Sequence, residues 1–387
     1  MNKILLGAMC VFVLNACSTV DDYMLGPDNT PKPTVLKKIA SPKTSMNKRW
    51  GENTSPKATK SGAFYNLIPV IKGRVIYSAN SNGFVQARLK SSGKLLWSTD
   101  IKASIESGPK LNSDFLVVGS QAHVVALSAK KGTILWRSEV SNQLLAAPVL
   151  SHNRVFAKTI DGQVFSFQNS DGKQVWRYTH GAPNLILRAS SAPVLVGPLL
   201  LSGFSDGKLD AIDVKTGRMV WQRNVSYAKG QSDVARLIDI DATPIIKDNV
   251  AYLASYQGDV MALSLKNGKT LWKHKISAFK DMVLNQETLF VVDAQSHVWA
   301  INRHTGLVLW QQKALHDRNL NAPAAASFGL VLTDSLGYLH ILSMQTGEML
   351  AREKLAGART EVTPLIDDKD VYVLFENGLL TDYTMVS

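Results

Sequence analysis

The sequence predicts an all-β protein, an eight-bladed β-propeller of four-stranded antiparallel blades. Two repeated elements carry this prediction. A Gly-x-x-x-Trp element recurs about every 40 residues, and a small turn followed by alternating apolar residues precedes each copy. The length of 387 residues also allows two or three separate domains. Because one period continues through the chain, we expect a single domain, at residues 46–387.

The Gly-x-x-x-Trp element indicates how the blades pack. Its complete copies end at Trp97, Trp136, Trp176, Trp221, Trp272 and Trp310. A further copy keeps Gly347 but has Ala351 in place of tryptophan. A tryptophan at one fixed place in nearly every repeat favours a structural role, in which each outer strand packs on the neighbouring blade. The alternative, a cofactor-binding box, would not need one copy per repeat.

Each repeat divides into four short strands. In the third repeat these are residues 147–150, 154–158, 162–167 and 173–177. A proline opens the first strand, where its missing N–H does least harm, and glycine-containing turns separate the later strands. The apolar period inside the repeat is two rather than 3.6, which excludes helical repeats.

The last repeat indicates how the ring closes. It has its opening Pro364 and two further strands, at residues 371–375 and 378–383, but no fourth strand. Trp50 precedes the first repeat and is typical of that fourth strand. We therefore expect an N-terminal strand to complete the last blade, since an open ring would expose two unpaired edges.

The N-terminus is typical of a secreted lipoprotein. Residues 1–16 carry Lys3 and an apolar run at residues 4–14, which is too short to span a membrane and fits a signal peptide. The run ends in Leu-Asn-Ala before Cys17, which resembles a bacterial lipobox. The alternative is an ordinary signal peptide with a chance cysteine. The lipobox implies acylation of Cys17, and Ser18 after it implies the periplasmic face of the outer membrane.

Residues 17–45 are expected to form an extended tether after the lipidated cysteine. The stretch to about residue 61 is rich in proline and lysine and has no sustained apolar period. Its basic residues are either simply solvated or weakly attracted to anionic lipid headgroups. They account for part of the net charge of +12, so the propeller itself is only moderately basic.

The composition argues against several kinds of chemistry. Two cysteines cannot build a disulfide framework or a cysteine-rich zinc site, and the eight histidines show no metal-binding spacing. We therefore expect no metal and no cofactor. Basic residues are spread through turns instead of clustering with aromatic residues on one face, so nucleic acid is not an expected partner.

Two intervals in the repeat are longer than the others. They measure 45 residues from Trp176 to Trp221 and 51 residues from Trp221 to Trp272. Both insertions fall between the last strand of one blade and the first strand of the next, so they should lie side by side on one face. Functional residues are most often found where one repeat departs from the rest.

The insertions contain the candidate binding residues. The first has an apolar triplet at residues 185–187 followed by Arg188, and the second has Asp239 and Asp241. The triplet either packs on its own blades or forms the apolar centre of a docking patch with Arg188 beside it. The two aspartates either bind a basic residue of a partner or neutralise Arg188 and Arg236 within the same face.

The repeat resembles the PQQ-like repeat of quinoprotein dehydrogenases. That resemblance raises the hypothesis of a redox enzyme that binds a quinone and calcium. Those enzymes hold the quinone with a vicinal cysteine pair, and this chain has only Cys10, within the signal peptide, and Cys17. We therefore expect no enzyme activity. A free-standing periplasmic propeller that binds peptide or polymer is the other alternative.

The combination of lipobox, basic tether and eight blades resembles the BamB family, lipoproteins of the outer-membrane β-barrel assembly machinery. The segments Leu-Ile-Leu-Arg at residues 185–188 and Arg-Leu-Ile-Asp-Ile-Asp at residues 236–241 make the resemblance specific. It implies a scaffold that docks on the periplasmic domains of BamA, beside other Bam subunits, and supports insertion of outer-membrane proteins. A second hypothesis is that exposed strand edges bind unfolded clients by β-augmentation. The residues carried over to the BamA contact are Leu185, Leu187 and Arg188, with Asp239 and Asp241 in support. Ile186 and Ala351 depart from the family pattern.

Overall fold

All described strands belong to eight four-stranded antiparallel sheets, which are the blades of a β-propeller. The structure is a computed structural model that describes residues 31–40, 42–55, 66–112, 114–183, 185, 191–227, 237–355, 359–360 and 362–386. Contacts group the chain into two units, Met1–Pro33 and Thr34–Ser387, and the blades belong to the second. The predicted eight-bladed propeller is confirmed.

The strands are named in chain order. The N-terminal strand is β1 (Ser45–Asn53). Blades 1 and 2 comprise β2 (Val70–Lys72), β3 (Val75–Ala79), β4 (Phe84–Leu89), β5 (Leu95–Asp100), and β6 (Ile105–Leu111), β7 (Phe115–Ser120), β8 (His123–Ser128), β9 (Ile134–Glu139). Blades 3 and 4 comprise β10 (Val149–Leu150), β11 (Arg154–Lys158), β12 (Gln163–Gln168), β13 (Gln174–Thr179), and β14 (Val194–Val196), β15 (Leu199–Gly203), β16 (Lys208–Asp213), β17 (Met219–Asn224).

The remaining blades follow the same order. Blades 5 and 6 comprise β18 (Ile245–Lys247), β19 (Val250–Ala254), β20 (Val260–Ser264), β21 (Thr270–His274), and β22 (Val283–Asn285), β23 (Thr288–Val292), β24 (Val298–Asn302), β25 (Val308–Gln312). Blades 7 and 8 comprise β26 (Ala324–Ala326), β27 (Gly329–Thr333), β28 (Tyr338–Leu342), β29 (Met349–Lys354), and β30 (Leu365–Asp367), β31 (Asp370–Leu374), β32 (Leu379–Val386) with β1.

The core lies between neighbouring blades. The second and third strands of each blade are buried along most of their length, because blades stack on both of their faces. One apolar cluster, for example, joins Val117 of blade 2 to Val155 and Phe165 of blade 3. The first strands are only partly buried, except for β6, whose first five residues are buried. Most of them begin directly after the predicted proline; Pro109 instead lies inside β6, where the pairing with β7 shifts register.

The tryptophans join each blade to the next. In six joints the indole Nε1 donates to a backbone carbonyl of the following blade at 2.8–3.0 Å, as from Trp136 to Asn169. The indole also covers the glycine of that blade's last turn. Gly172 has a φ of +72°, and a Cβ there would lie 2.5 Å from the Trp136 ring. Each contact between neighbouring blades therefore joins the tryptophan of one Gly-x-x-x-Trp element to the glycine of the next element along the chain.

Two joints differ from this arrangement. At the joint between blades 4 and 5, Arg223 takes the place above Gly268, and its guanidinium lies 5.8 Å from the Trp221 ring. At the joint between blades 7 and 8, the next blade has no turn between its third and fourth strands, because β32 and β1 come from opposite ends of the chain. A tryptophan at Ala351 would have no glycine to cover. Ala351 packs instead in a cluster with Met46.

The N-terminal strand closes the ring. β1 pairs antiparallel with β32 from Ser45 opposite Val386 to Asn53 opposite Leu379, with a register shift between Lys48 and Trp50. Trp50 then contacts blade 1, where its Nε1 donates to the Lys90 carbonyl at 2.9 Å. The predicted closure by an N-terminal strand is confirmed.

The segment before β1 follows the outer strand of blade 7. Arg318 Nη1 donates to the Thr34 carbonyl at 2.9 Å, and Arg352 Nη1 donates to the Lys37 carbonyl at 2.8 Å. Leu36 packs on the apolar cluster between blades 6 and 7, and the Lys43 amide donates to the Leu350 carbonyl at 2.9 Å. Part of the stretch expected to be an extended tether therefore lies on the propeller in the described residues.

Candidate docking surface

The described ends of both long insertions lie on the same face of the propeller. In every blade the fourth strand ends beside the turn between the second and third strands, as Thr179 does opposite Gln163 and Asn224 does opposite Lys208. The connectors to the next blade start from that end, which we call the connector face. The first insertion runs from β13 to β14 and the second from β17 to β18, so they are neighbours, as predicted.

The first insertion begins at His180, which is held by two carboxylates of blade 4. Its Nδ1 lies 2.5 Å from Asp210 Oδ2, and its Nε2 lies 3.1 Å from Asp206 Oδ1. The imidazole stacks on Phe204 with ring centroids 3.9 Å apart. Tyr178 also donates to Asp210, at 2.6 Å. The start of the loop is therefore fixed to the turn of the following blade.

These contacts shift the pKa values of His180 and Asp206. Burial by itself lowers the pKa of His180, but the hydrogen bonds to Asp206 and Asp210 outweigh it and raise the pKa to about 9. Burial by itself raises the pKa of Asp206, but hydrogen bonds from His180 and Lys208 outweigh it and lower the pKa to about 2. His180 is therefore an imidazolium at neutral pH, with both ring nitrogens donating.

The end of the first insertion is held by a buried lysine. Lys158, the last residue of β11, donates from Nζ to the Gly203 carbonyl at 2.5 Å and to the Ser191 carbonyl and hydroxyl at 3.2 and 3.3 Å. Its ammonium also lies 5.3 Å from the centroid of the Phe204 ring. Phe204 thus contacts the groups that anchor both ends of the loop.

The second insertion returns across blade 4. Ile240 is buried against Gly203, where a Cβ would lie 2.6 Å from Ile240 Cγ2, and its amide donates to the Phe204 carbonyl at 3.3 Å. Ile238 covers Gly207 in the same way, since a Cβ on that glycine would lie 2.8 Å from Ile238 Cδ1. Glycine at these two positions allows the close approach of the loop. Residues 237–241 therefore pack on their own blades.

Asp239 and Asp241 flank Ile240 and face the interior. Their exposed fractions are 0% and 6%. Burial and then the charge of Asp239 raise the pKa of Asp241 well above its usual range, and the charge of Lys158 offsets part of this. Burial lowers the pKa of Lys158 to about 8, and the charges of Asp241 and Asp239 oppose that decrease. The lysine and the two aspartates therefore form one buried, electrostatically coupled cluster.

The structure separates the predicted binding residues into two groups. Leu185 is exposed, with 43% of its surface accessible, whereas Asp239 and Asp241 are buried. Leu187 and Arg188 lie outside the described residues, as do Ile186, Arg236 and Cys17. The exposed part of the described site is thus Leu185, and the two aspartates are buried in the interior.

Sequence reasoning did not single out Lys158, His180 or Tyr227 as site residues. Tyr227, in the second insertion, is 66% exposed. Lys158 had a visible signal, since the last residue of the second strand is uncharged in the other blades and is lysine only in blade 3. His180 had none, because its two carboxylate partners come from another blade.

The described residues contain no cluster of three or more histidine, cysteine, aspartate or glutamate side chains placed to hold a metal ion. Over the same residues, no helix has the length and apolar character that crossing a membrane requires.

Comparison with known proteins identifies the family. The family model described as "Outer membrane protein assembly factor BamB" matches residues 81–312 and 286–384. A protein of that name from Legionella pneumophila (strain Paris) is 46% identical over 99% of both chains. The chain belongs to the BamB family.

Two solved structures place the family among related folds. The crystal structure of BamB from Moraxella catarrhalis matches with a TM-score of 0.79 and 25% identity, covering 88% of this chain and 100% of that one. A quinohemoprotein alcohol dehydrogenase from Comamonas testosteroni matches with a TM-score of 0.67 and 12% identity, over 88% of this chain and 76% of that one. At that identity the second likeness shows the propeller fold alone.

Proposed function

We propose that this protein is a scaffold lipoprotein of the outer-membrane β-barrel assembly machinery that docks on the periplasmic domains of BamA. The observation that carries the proposal is the 46% identity, over 99% of both chains, with a protein named as an outer membrane protein assembly factor. In this role the propeller supports the folding and insertion of outer-membrane proteins by holding the domains that receive them. Other Bam subunits are partners of the same assembly.

The proposed BamA contact is the connector face around the first insertion. Leu185 supports this, because it is an exposed leucine on a loop whose two ends are fixed by His180 and Ser191. Fixed ends reduce the conformational entropy that a loop loses on binding. Leu187 and Arg188 complete the proposed patch, with an apolar centre and a cation that can pair with a carboxylate. Asp239 and Asp241 support the loop.

The proposed anchor is a set of acyl chains on Cys17, which holds the protein at the periplasmic face of the outer membrane. The segment at Thr34 meets the propeller beside His316 in a connector, that is, on the connector face. The proposed docking patch lies on the same face. Labelling with a radioactive fatty acid tests this, since the wild type should incorporate it and a Cys17→Ala variant should not.

We propose further that the protein is not an enzyme. The quinoprotein alternative rests on the fold, and the sequence offers no vicinal cysteine pair to hold a quinone. Purified full-length protein mixed with pyrroloquinoline quinone and calcium should show no bound-quinone absorbance after gel filtration. Retention of the quinone in stoichiometric amount would contradict the proposal.

Co-purification from solubilised membranes tests the main proposal. Tagged wild-type protein should retain BamA, and Arg188→Glu and Leu185→Glu variants should retain much less. Lys173→Glu is the control, because Lys173 is exposed in the turn directly before the outer strand of blade 3, at the end opposite the connector face. Absence of BamA from the wild-type sample would overturn the function. Equal retention by all variants would overturn the site and leave the function standing.

A further inference from the structure

The two aspartates of the second insertion are too buried to meet a partner directly. Asp239 has no exposed surface and Asp241 has 6%, and Ile240 between them is 1% exposed. The Asp239 carbonyl accepts from the Tyr256 amide at 3.0 Å, and the Ile240 amide donates to Phe204. Exposing either carboxylate would require these contacts to break. Leu185, at 43%, needs no such change.

The ends of the two insertions are connected to each other. The Ala192 amide, next to Ser191, donates to Thr243 Oγ1 at 3.3 Å. The Thr243 amide donates to Asp281 Oδ1, in the following connector, at 2.7 Å. The last residues of both insertions therefore belong to one hydrogen-bonded chain across blades 3 to 6.

Lys158 is the charged group at the centre of this connection. It is 6% exposed, and its three hydrogen bonds go to Ser191 of the first insertion and to Gly203, against which Ile240 of the second insertion packs. The charges of Asp239 and Asp241 stabilise its ammonium form, which burial alone would disfavour. An ammonium at this place holds the end of the first insertion through Ser191 and binds the Gly203 carbonyl, beside the contact between Gly203 and Ile240.

We infer that Lys158 is the positioning residue of the docking surface, and that Asp239 and Asp241 act on the partner through Lys158 and its hydrogen bonds to Ser191 at the end of the first insertion. This rests on the proposed function for the identity of the partner, but the coupling between the loops is a property of the free protein. Leu185 remains a contact residue in this arrangement. The aspartates do not.

Hydrogen exchange of the free full-length protein tests the coupling. Lys158→Met keeps an apolar stem of similar length and removes the ammonium. We expect faster exchange at the amides of Ala192, Ile240 and Tyr256 in this variant and in Asp241→Asn. Lys173→Met, which removes an exposed lysine of the same blade, should leave these amides unchanged. Unchanged exchange in Lys158→Met would overturn the inference.

Binding to the purified periplasmic domains of BamA tests how the aspartates act. Lys158→Met and Asp241→Asn should each weaken binding about tenfold, and the double variant should be weakened by much less than a hundredfold, because both changes break one coupling. Leu185→Glu should weaken binding while exchange stays as in the wild type. A double variant weakened by the full product of the single effects would overturn the inference.

Salt dependence distinguishes positioning from direct contact. The slope of log Kd against log salt concentration should be the same for the wild type and Asp241→Asn, since a buried carboxylate forms no ion pair with the partner. A smaller slope in Asp241→Asn, with normal exchange, would identify a direct contact and overturn the inference.

Two further outcomes, a Lys158→Met variant that does not fold and a wild type that does not bind BamA, are each distinguished by a second measurement. If Lys158→Met does not fold, Ser191→Ala removes only one acceptor of the ammonium and should give a weaker form of the same exchange change; no change would overturn the inference. If the wild type does not bind the BamA domains but exchange in Lys158→Met rises as expected, the proposed function fails and the coupling stands.

Discussion

His180 shows how one side chain fixes the start of a loop. Both of its ring nitrogens face carboxylates, and its side chain is 7% exposed. The raised pKa of about 9 means that folding favours the imidazolium. A histidine whose folded pKa exceeds its unfolded value contributes stability that is complete below about pH 6.5 and is lost as the pH rises through 9.

His180→Gln should therefore lower the free energy of unfolding by about 2 kcal/mol at pH 6.5, and by clearly less at pH 10. Urea denaturation at the two pH values measures the difference. His152→Gln, at an exposed turn, is the control and should have little effect at either pH. An equal loss for His180→Gln at both pH values would show that only packing is involved.

Asp382 is a buried carboxylate at the ring closure. It lies opposite Trp50 in the pairing of β1 with β32, and Arg49 Nε is 3.6 Å from its Oδ2. Burial, followed by the charge of Asp370, raises its pKa to about 7, although Arg49 offsets part of the increase. A carboxylate with a raised folded pKa contributes stability that is complete below about pH 4 and is lost as the pH rises through 7.

Asp382→Asn should accordingly make the protein more stable than the wild type at pH 8.5, by about 1–2 kcal/mol, and no more stable at pH 4. Chemical denaturation at both pH values provides the measurement. Asp171→Asn, at an exposed turn, is the matched control. A variant less stable than the wild type at pH 8.5 would mean that the ion pair with Arg49 dominates over burial.

At the scale of elements, the segment at residues 34–43 is the part of the chain whose position is least predictable from its local sequence. It has no repeat and no apolar period, so the sequence predicts a tether there. Two of its contacts come from the side chains of Arg318 and Arg352, which lie 284 and 315 residues further along the chain than their acceptors. Arg318 is also bonded to buried Asp334 at 2.7 Å. The acceptors are backbone carbonyls, which any sequence would supply.

Arg352→Ala should release this segment without unfolding the blade. Trypsin should then cleave after Lys37 and Lys38 several times faster than in the wild type, because a protease requires a locally open backbone. Arg177→Ala is the matched control, since Arg177 also follows the Gly-x-x-x-Trp position of its blade but is exposed. Mass spectrometry of timed digests identifies the cut. Equal rates would show that Arg352 does not hold the segment.

How much of the structure the sequence predicts depends on how far apart in the chain the interacting residues lie. The blades were predictable because period, turn glycines and opening prolines are local and repeated. The closure by β1 was predictable because one copy of a repeated pattern was missing. The Lys158 cluster was not, since its partners Ser191, Gly203 and Asp241 belong to three different elements and only the ring brings them together.

At the scale of the whole molecule, the contacts between neighbouring blades, which we call joints, differ in strength around the ring. Six joints have an indole that donates to a carbonyl of the next blade and covers its glycine. Trp221 is only half-buried, and Arg223 occupies the place over Gly268. This joint lies between blades 4 and 5, beside the second insertion. The connector that carries the long loop therefore spans a joint that lacks the usual tryptophan contact.

The contacts at each joint determine how much unfolding free energy is lost when its tryptophan is removed. Trp272 is 8% exposed, its Nε1 donates to Arg303 at 2.8 Å, and its ring covers Gly306. Trp272→Ala should cost about 3–5 kcal/mol of unfolding free energy, as expected for a large buried aromatic residue. Trp221→Ala should cost about 1–2 kcal/mol, because less surface and no such glycine contact is lost. Urea denaturation monitored by circular dichroism compares the two variants. Fluorescence is not used, because each variant lacks a different tryptophan. Equal losses would mean that the indole itself, and not its fit against the next blade, determines the strength of a joint.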